Sequence, residues 1–316
     1  MTRGRETGER RISVGLPQLL HDEAPDVVRS YAVRAEELGF ARLWSLDSVP
    51  GSATARVPLL DGLHLLTTAA AVTGTIGLGI AVIVLPARNP AQLAKELATI
   101  DRLSGGRLIV GVGVGRKEPT AAGLGLPAGN RARRLREGVE VLRALWADGE
   151  AAYDGEFYRF AGVTLEPKPA QRPGPPMWFG AGSQPALRRA ARIRDGWLCA
   201  GSAPSAAFPD QMRVLVDAPR EAGREPDAFP IGKRVYIAVE DTEQRARERL
   251  TPILDEMYDA PGLTKRVAVC GPPEECAEQL RELAAVGARE LILNPMYGYL
   301  EQLEALATVA GLVRDG

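Results

Sequence analysis

The chain has 316 residues, 39 Lys plus Arg against 40 Asp plus Glu, 45% hydrophobic residues, and 34 Gly with 24 Pro. That composition excludes a disordered chain, a collagen and a disulfide scaffold, and it leaves enough length for a sizeable buried core. A formal net charge of -1 supplies no positive field to gather a phosphate backbone or an anionic lipid surface, so neither nucleic acid nor membrane is an expected partner.

Residues 1–11 open with the polar run Met1 to Arg10, which lacks the apolar core of a secretory signal and reads as a flexible tail. Residues 12–316 then read as a single domain. A first strand is expected at Ile12 to Leu16, a helix from Asp26 to Leu38 ended by Gly39, and a second strand at Arg42 to Leu46. The uncharged run Leu65 to Leu85 is long enough to cross a bilayer, but Thr73-Gly74-Thr75 at its middle is a turn signal. It divides into the end of a buried helix and a third strand, Ile76 to Leu85. Asn89-Pro90 caps a helix with Leu93, Leu97 and Ile100 on one face, stopped by Ser104-Gly105-Gly106. A fourth strand follows at Arg107 to Val112 and a helix at Arg131 to Trp146. Tyr153-Asp154-Gly155-Glu156-Phe157-Tyr158 reads as a small hairpin within the long Ala147 to Pro176 connection. Further strands are expected at Met177 to Phe179, Trp197 to Cys199, Ile231 to Val239 and Leu291 to Leu293, with a helix from Pro273 to Ala285 ended by Gly287. Apolar runs of this kind belong to parallel strands buried on both faces. Eight of them alternating with helices give an α/β fold, a (β/α)8 TIM barrel with insertions in the strand-end loops; a doubly wound open sheet is the alternative.

Candidate chemistry concentrates where strands end. Gly180-Ala181-Gly182-Ser183 follows a strand and precedes a helix opened by Pro185, a place where backbone N–H groups can face a phosphate. Gly111, Gly113 and Gly115 lack the spacing of a dinucleotide fingerprint; they suit close approach of backbone to a flat ring or to a packed barrel wall. Asp47, at the end of the second strand, can act as an acid/base group or cap the following loop. His64 fits a buried imidazole better than a catalyst, whereas His21 and Tyr297, with Tyr299, lie on rim segments that can touch substrate. Arg88, Arg116, Lys117, Lys168 and Arg172 can hold an anion or merely face solvent, and Cys199 suits small packing. The three cysteines form no C-x-x-C pair, no His/Cys/carboxylate set has metal spacing and no G-x-S-x-G elbow occurs, so a reduced cytoplasmic protein without a metal is expected.

Several segments carry a resemblance in one continuous order: Arg88-Asn89-Pro90, Leu97 through Arg107, Gly111-Val112-Gly113-Val114-Gly115, Pro167-Lys168-Pro169, Gly180 to Ser183, Asp195-Gly196-Trp197 and Gly271-Pro272-Pro273-Glu274-Glu275. Together they resemble the bacterial luciferase-like flavin and deazaflavin oxidoreductase superfamily. The resemblance implies a (β/α)8 barrel with either coenzyme F420 or FMN at the carboxyl ends of the strands, and assembly as a dimer or tetramer, which sedimentation would test. It implies cofactor contacts at Ala81, Val82, Gly111, Gly113, Gly180, Ala181, Gly182 and Ser183, with the Ala81-Val82 peptide cis behind the ring. It places Asp47 as the catalytic candidate and His21, Ser48, Arg116 and Tyr297 as substrate contacts. In FMN luciferases the position of Val114 is typically an arginine pairing with the phosphate, so valine there favours F420. Ser48 replaces the histidine of the sugar-phosphate dehydrogenase branch, and Arg116 replaces its glutamate, which argues against glucose 6-phosphate as substrate. The expected activity is hydride transfer between F420 and an unsaturated or alcohol organic substrate. An FMN-dependent monooxygenase with a reductase partner and a non-catalytic flavin-binding homologue are the alternatives.

Overall fold

The computed structural model describes residues 10–19, 25–50, 57–115, 129–193, 195–221 and 230–315. Its strands and helices alternate as β1 (Arg11–Gly15), α1 (Val27–Glu37), β2 (Arg42–Ser45), α2 (Gly62–Val72), β3 (Gly77–Val84), α3 (Pro90–Leu103), β4 (Leu108–Gly113) and α4 (Arg131–Trp146). A hairpin of β5 (Ala151–Asp154) and β6 (Arg159–Val163) precedes β7 (Met177–Gly180), α5 (Gln184–Ile193), β8 (Trp197–Cys199) and α6 (Phe208–Glu221). The chain ends with β9 (Ile231–Val239), α7 (Glu243–Tyr258), the short α8 (Thr264–Val267), β10 (Ala268–Gly271), α9 (Pro273–Val286), β11 (Glu290–Asn294) and α10 (Tyr299–Asp315).

The parallel strands run β11-β1-β2-β3-β4-β7-β8, and β9 pairs with both β8 and β11 to close an eight-stranded barrel. The expected strands lie within one or two residues of their sequence positions, and the hairpin forms where the Asp-Gly turn placed it. One strand was not expected. β10 pairs with the upper half of β9, where Tyr236 already faces Asn294 of β11 on its other edge. β10 therefore takes the edge that β8 occupies lower down, and its apolar pair Val269-Cys270 is too short to stand out in sequence. The Gly201 to Pro230 connection carries α6.

The outer face of the barrel and the apolar stripes of the helices share one large core. A separate cluster of Trp44, Ile109, Trp178, Leu198 and Ile292 plugs the inside, with the two indole rings 5.6 Å apart. One layer toward the strands' amino ends lies Glu290, whose Oε1 accepts from Ser13 Oγ (2.6 Å) and Trp44 Nε1 (2.8 Å) and whose Oε2 accepts from Arg42 Nη1 (2.5 Å). The bottom of the barrel is thus closed, and only the carboxyl ends of the strands are left to build a site.

The uncharged run between α2 and β3 turns back because polar groups brace its centre. Arg107 donates to Ala70 O, Thr73 O, Thr73 Oγ1 and Ile76 O, while the Glu36 carboxylate accepts from the amides of Gly74, Thr75 and Ile76 and from the Thr75 hydroxyl. Among the described residues no helix is long and apolar enough to cross a membrane. Burial opposes the Glu36 charge, but the bonds from Ile76, Thr75 and Gly74 outweigh it and hold the carboxyl down at about 2. A carboxyl depressed in the folded state stabilises above its ordinary value of 4.5 and loses that contribution as pH falls toward the folded value. Glu36→Gln is therefore expected to flatten the decline in urea-unfolding stability between about pH 4.5 and about pH 2. An unchanged acid limb would show that the brace carries no charge-dependent stability.

Candidate active site

Strand alternation lifts the next inward-facing residues one layer above the plug. From Ile109, Trp178 and Ile292 these are Gly111, Gly180 and Asn294, and from Ser13 it is Gly15. A Cβ on Gly232 would meet Leu198, Trp178 and Ile292, so β9 also faces inward there and Arg234 follows it into the same layer. The register of β3 against β4 breaks between Ile80 and Ile83, and the Ala81-Val82 peptide bond is cis. That bulge turns Val82 across the glycines. A Cβ on Gly113 would lie 2.8 Å from Val82 Cγ2, one on Gly180 3.0 Å from Val82 Cγ1, and one on Gly111 inside contact distance of Ile80 O. Gly111 and Gly113 thus pack against the bulge of β3. Val82 fills the space these glycines leave, and it remains only half-buried on the side of the mouth.

Asp47 lies just past β2 with its side chain fully buried. Its Oδ2 accepts from Val84 N (2.9 Å) and Arg88 Nε (3.2 Å), and its Oδ1 from Arg88 Nη2 (2.5 Å). Arg88 also reaches Asp61 Oδ2 at 3.4 Å, and Asp61 caps α2 by accepting from Leu63 N and His64 N. Burial disfavours the Arg88 charge, but the two carboxylates outweigh it and raise its pKa. The carboxylate of Asp47 therefore ties the end of β2 to the end of β3. Ser48 follows it, half-buried.

Beyond β7, Ala181 O accepts from Trp197 Nε1 (2.9 Å), and Ser183 O accepts from the amides of Ala186 and Leu187 to open α5. Gly182 and Ser183 are exposed, and their amides have no partner among the described residues. A Cβ on Gly182 would meet nothing nearer than Gln211 Nε2 at 4.0 Å. An open helix amino terminus beside Val82 can accept a phosphate.

Other candidates take different places. His21, Arg116 and Lys117 lie outside the described residues. His64 is not buried: its side chain is 89% exposed, with Nδ1 2.9 Å from Asp61 Oδ1. Tyr297 donates to Glu240 Oε1 (3.0 Å) beneath the Arg249 guanidinium, and Tyr299 is buried with its hydroxyl on Leu19 O. Lys168 is buried and donates to Leu145 O at the end of α4, while Arg172 is exposed beside Asp148. Cys199 faces Gln211 and Lys233 away from the mouth. Arg131, at the start of α4, donates to Val114 O, so a guanidinium reaches the Val114 backbone even though the residue there is valine. Among the described residues no group of His, Cys, Asp and Glu can hold a metal. Sequence reading missed Arg234 and Asn294; the available signal was the charged pair Lys233-Arg234 inside β9.

A closed parallel (β/α)8 barrel with its candidate residues gathered at the carboxyl ends of β2, β3, β4 and β7 has the architecture of a barrel enzyme. A profile of the luciferase-like monooxygenase family matches residues 11–290, and the chain belongs to that family. An uncharacterized protein of Mycobacterium tuberculosis is 39% identical over 166 residues, a match that covers 52% of this chain and 58% of that one. The chain thus spans little more than half the length of that relative. The F420-dependent glucose-6-phosphate dehydrogenase of Intrasporangium calvum is 26% identical over 90% of this chain and 92% of its own length. The FMNH2-dependent dimethylsulfone monooxygenase of Pseudomonas putida is 29% identical over 72% of this chain and 71% of its own. A solved F420-dependent secondary alcohol dehydrogenase in complex with an F420-acetone adduct matches the fold, with a TM-score of 0.81 at 19% identity over 98% of this chain and all of that one.

Proposed function

We propose that this chain is an F420-dependent oxidoreductase acting on an unsaturated or alcohol organic substrate. The observation that carries the reading is the pairing of an apolar backing, Val82 seated across Gly111, Gly113 and Gly180, with the open amide cradle of Gly182 and Ser183 at the start of α5. A flat ring attached to a phosphate fits that pairing: Ala81 and Val82 back the ring, and the Gly182 and Ser183 amides with the positive end of α5 hold the phosphate. When bound, the deazaflavin supplies hydride transfer. The chain orients the ring, keeps water from its buried face and fixes the rim through Asp47 and Arg88. Relatives that use F420 and align over most of this chain support the choice of cofactor.

FMN is the second reading, favoured by one observation: Arg131 places a guanidinium at the Val114 backbone. Fluorescence titration of the purified protein with F420 and, separately, with FMN decides between them. Tight F420 and weak FMN binding is expected, and the reverse would overturn the assignment. Gly182→Val is the accompanying variant. A side chain there meets open space, so stability should stay within about 0.5 kcal/mol of wild type, while F420 affinity falls at least tenfold. Unchanged affinity would remove the phosphate from this loop.

A further inference from the structure

Arg234 is 8% exposed, yet no carboxylate pairs with it among the described residues. Its Nε donates to Asn294 Oδ1 (3.0 Å), and its guanidinium carbon lies 5.1 Å from the centre of the Tyr236 ring. Those are neutral partners. Asn294 is itself fixed, because its Nδ2 donates to Ile292 O (2.8 Å) and Val235 O (3.3 Å), so its Oδ1 can only face the arginine. The space for this pair comes from Gly15, where a Cβ would fall on Asn294 Oδ1, and from Gly201, where one would lie 3.0 Å from the Tyr236 ring and 3.4 Å from Arg234 Cγ. With Nε engaged, the two terminal nitrogens are left as an end-on fork in the layer directly above the Trp44 and Trp178 plug. With neutral partners only, the guanidinium keeps its charge toward the mouth, and an incoming anion would form a charge-assisted pair without displacing one already made. The fork matches a planar group with two oxygens.

We propose that Arg234, oriented by Asn294, anchors a carboxylate carried by the organic substrate. The inference deepens the proposed function, since it takes the barrel mouth to be the substrate site.

The test titrates the purified protein, with and without saturating F420, against acetate, hexanoate and benzoate, with neutral benzamide as control. Intrinsic tryptophan fluorescence reports from Trp44 and Trp178 beneath the site. At least one carboxylate should saturate the wild type, bind at least tenfold more weakly to Arg234→Gln and recover in part in Arg234→Lys, while benzamide distinguishes none of them. The inference is overturned if no carboxylate binds the wild type, or if wild type and Arg234→Gln bind alike. A parallel F420 titration separates the two readings. Equal F420 affinity in wild type and Arg234→Gln is expected, and a loss in the variant would assign the guanidinium to the cofactor instead. Arg-dependent carboxylate binding by a protein that does not take up F420 would overturn the cofactor reading and leave this one standing. Thermal unfolding guards against a structural role: Arg234→Met, which keeps the stem, should melt no lower than wild type, and a lower midpoint with carboxylate affinity unchanged would mark Arg234 as a packing residue.

Discussion

Glu290→Ala is expected to destabilise the fold by about 3–5 kcal/mol, the magnitude for removing one partner of a buried ion pair. The carboxylate is 2% exposed, and three donors from two other strands converge on it: Ser13 of β1, and Trp44 and Arg42 of β2. Truncation removes the Glu290 charge from the partly buried Arg42 and leaves Trp44 Nε1 without its acceptor, in a layer sealed by the plug. Glu290→Gln keeps one acceptor oxygen for Ser13 and Trp44 but sets an amide N–H₂ against Arg42, so a smaller loss of about 1–3 kcal/mol is expected. Urea unfolding followed by tryptophan fluorescence measures both, with Trp44 reporting from the site itself. If Glu290→Ala cost under 1 kcal/mol, the network would contribute shape and little energy.

The same residue shows what sequence could and could not supply. The barrel was legible because its strands are apolar on both sides, a property written in a run of consecutive residues, as in Ile76 to Leu85. Glu290 was not, because its three partners lie 277, 246 and 248 positions away along the chain and only closure of β11 onto β1 brings them near. Lys233 and Arg234 make the point more sharply. Both are buried neighbours on one strand; Lys233 points outward to Ala200 O and Ala203 O, and Arg234 points into the mouth. A two-residue period assigns them opposite faces but not which face is which, and the inward position of Gly232 settles it. The open turn of Gly182 and Ser183 before α5 was readable from glycine and helix-opening signals that are local. For Val114 the reading looked for an arginine at that position itself, whereas the guanidinium that reaches this backbone comes from Arg131, on a later helix. Asp47 was placed correctly at the rim, but its engagement by Arg88 depends on how the segment after β3 folds back.

The glycines of β4 give the second large effect and separate two reasons for having no side chain. At Gly111 an added Cβ runs into Ile80 O, which is backbone within the bulged strand and has no rotamer by which to withdraw. Gly111→Ala is therefore expected to cost at least about 3 kcal/mol, at the upper end of overpacking losses, and Val82→Ala should not restore it. At Gly113 the obstacle is Val82 Cγ2 at 2.8 Å, a side-chain atom, with Val82 Cβ and Gly180 O both at an ordinary 3.8 Å. Gly113→Ala alone should cost about 1–3 kcal/mol, and in Gly113→Ala/Val82→Ala the new methyl takes the space of the lost ones. The double variant should then be more stable than the sum of the single changes predicts, with a favourable coupling of about 1 kcal/mol or more for residues in contact. Denaturant midpoints of wild type, the three single variants and the two double variants with Val82→Ala complete both cycles. Additive losses at Gly113 and Val82 would mean that Val82 does not occupy the hollow, and the apolar backing assigned to the ring would have to be sought elsewhere in the mouth. With coupling present and Gly111→Ala unrescued, β4 is a wall shaped around the β3 bulge, and on the proposed function a bound ring would meet Val82 rather than the glycines themselves.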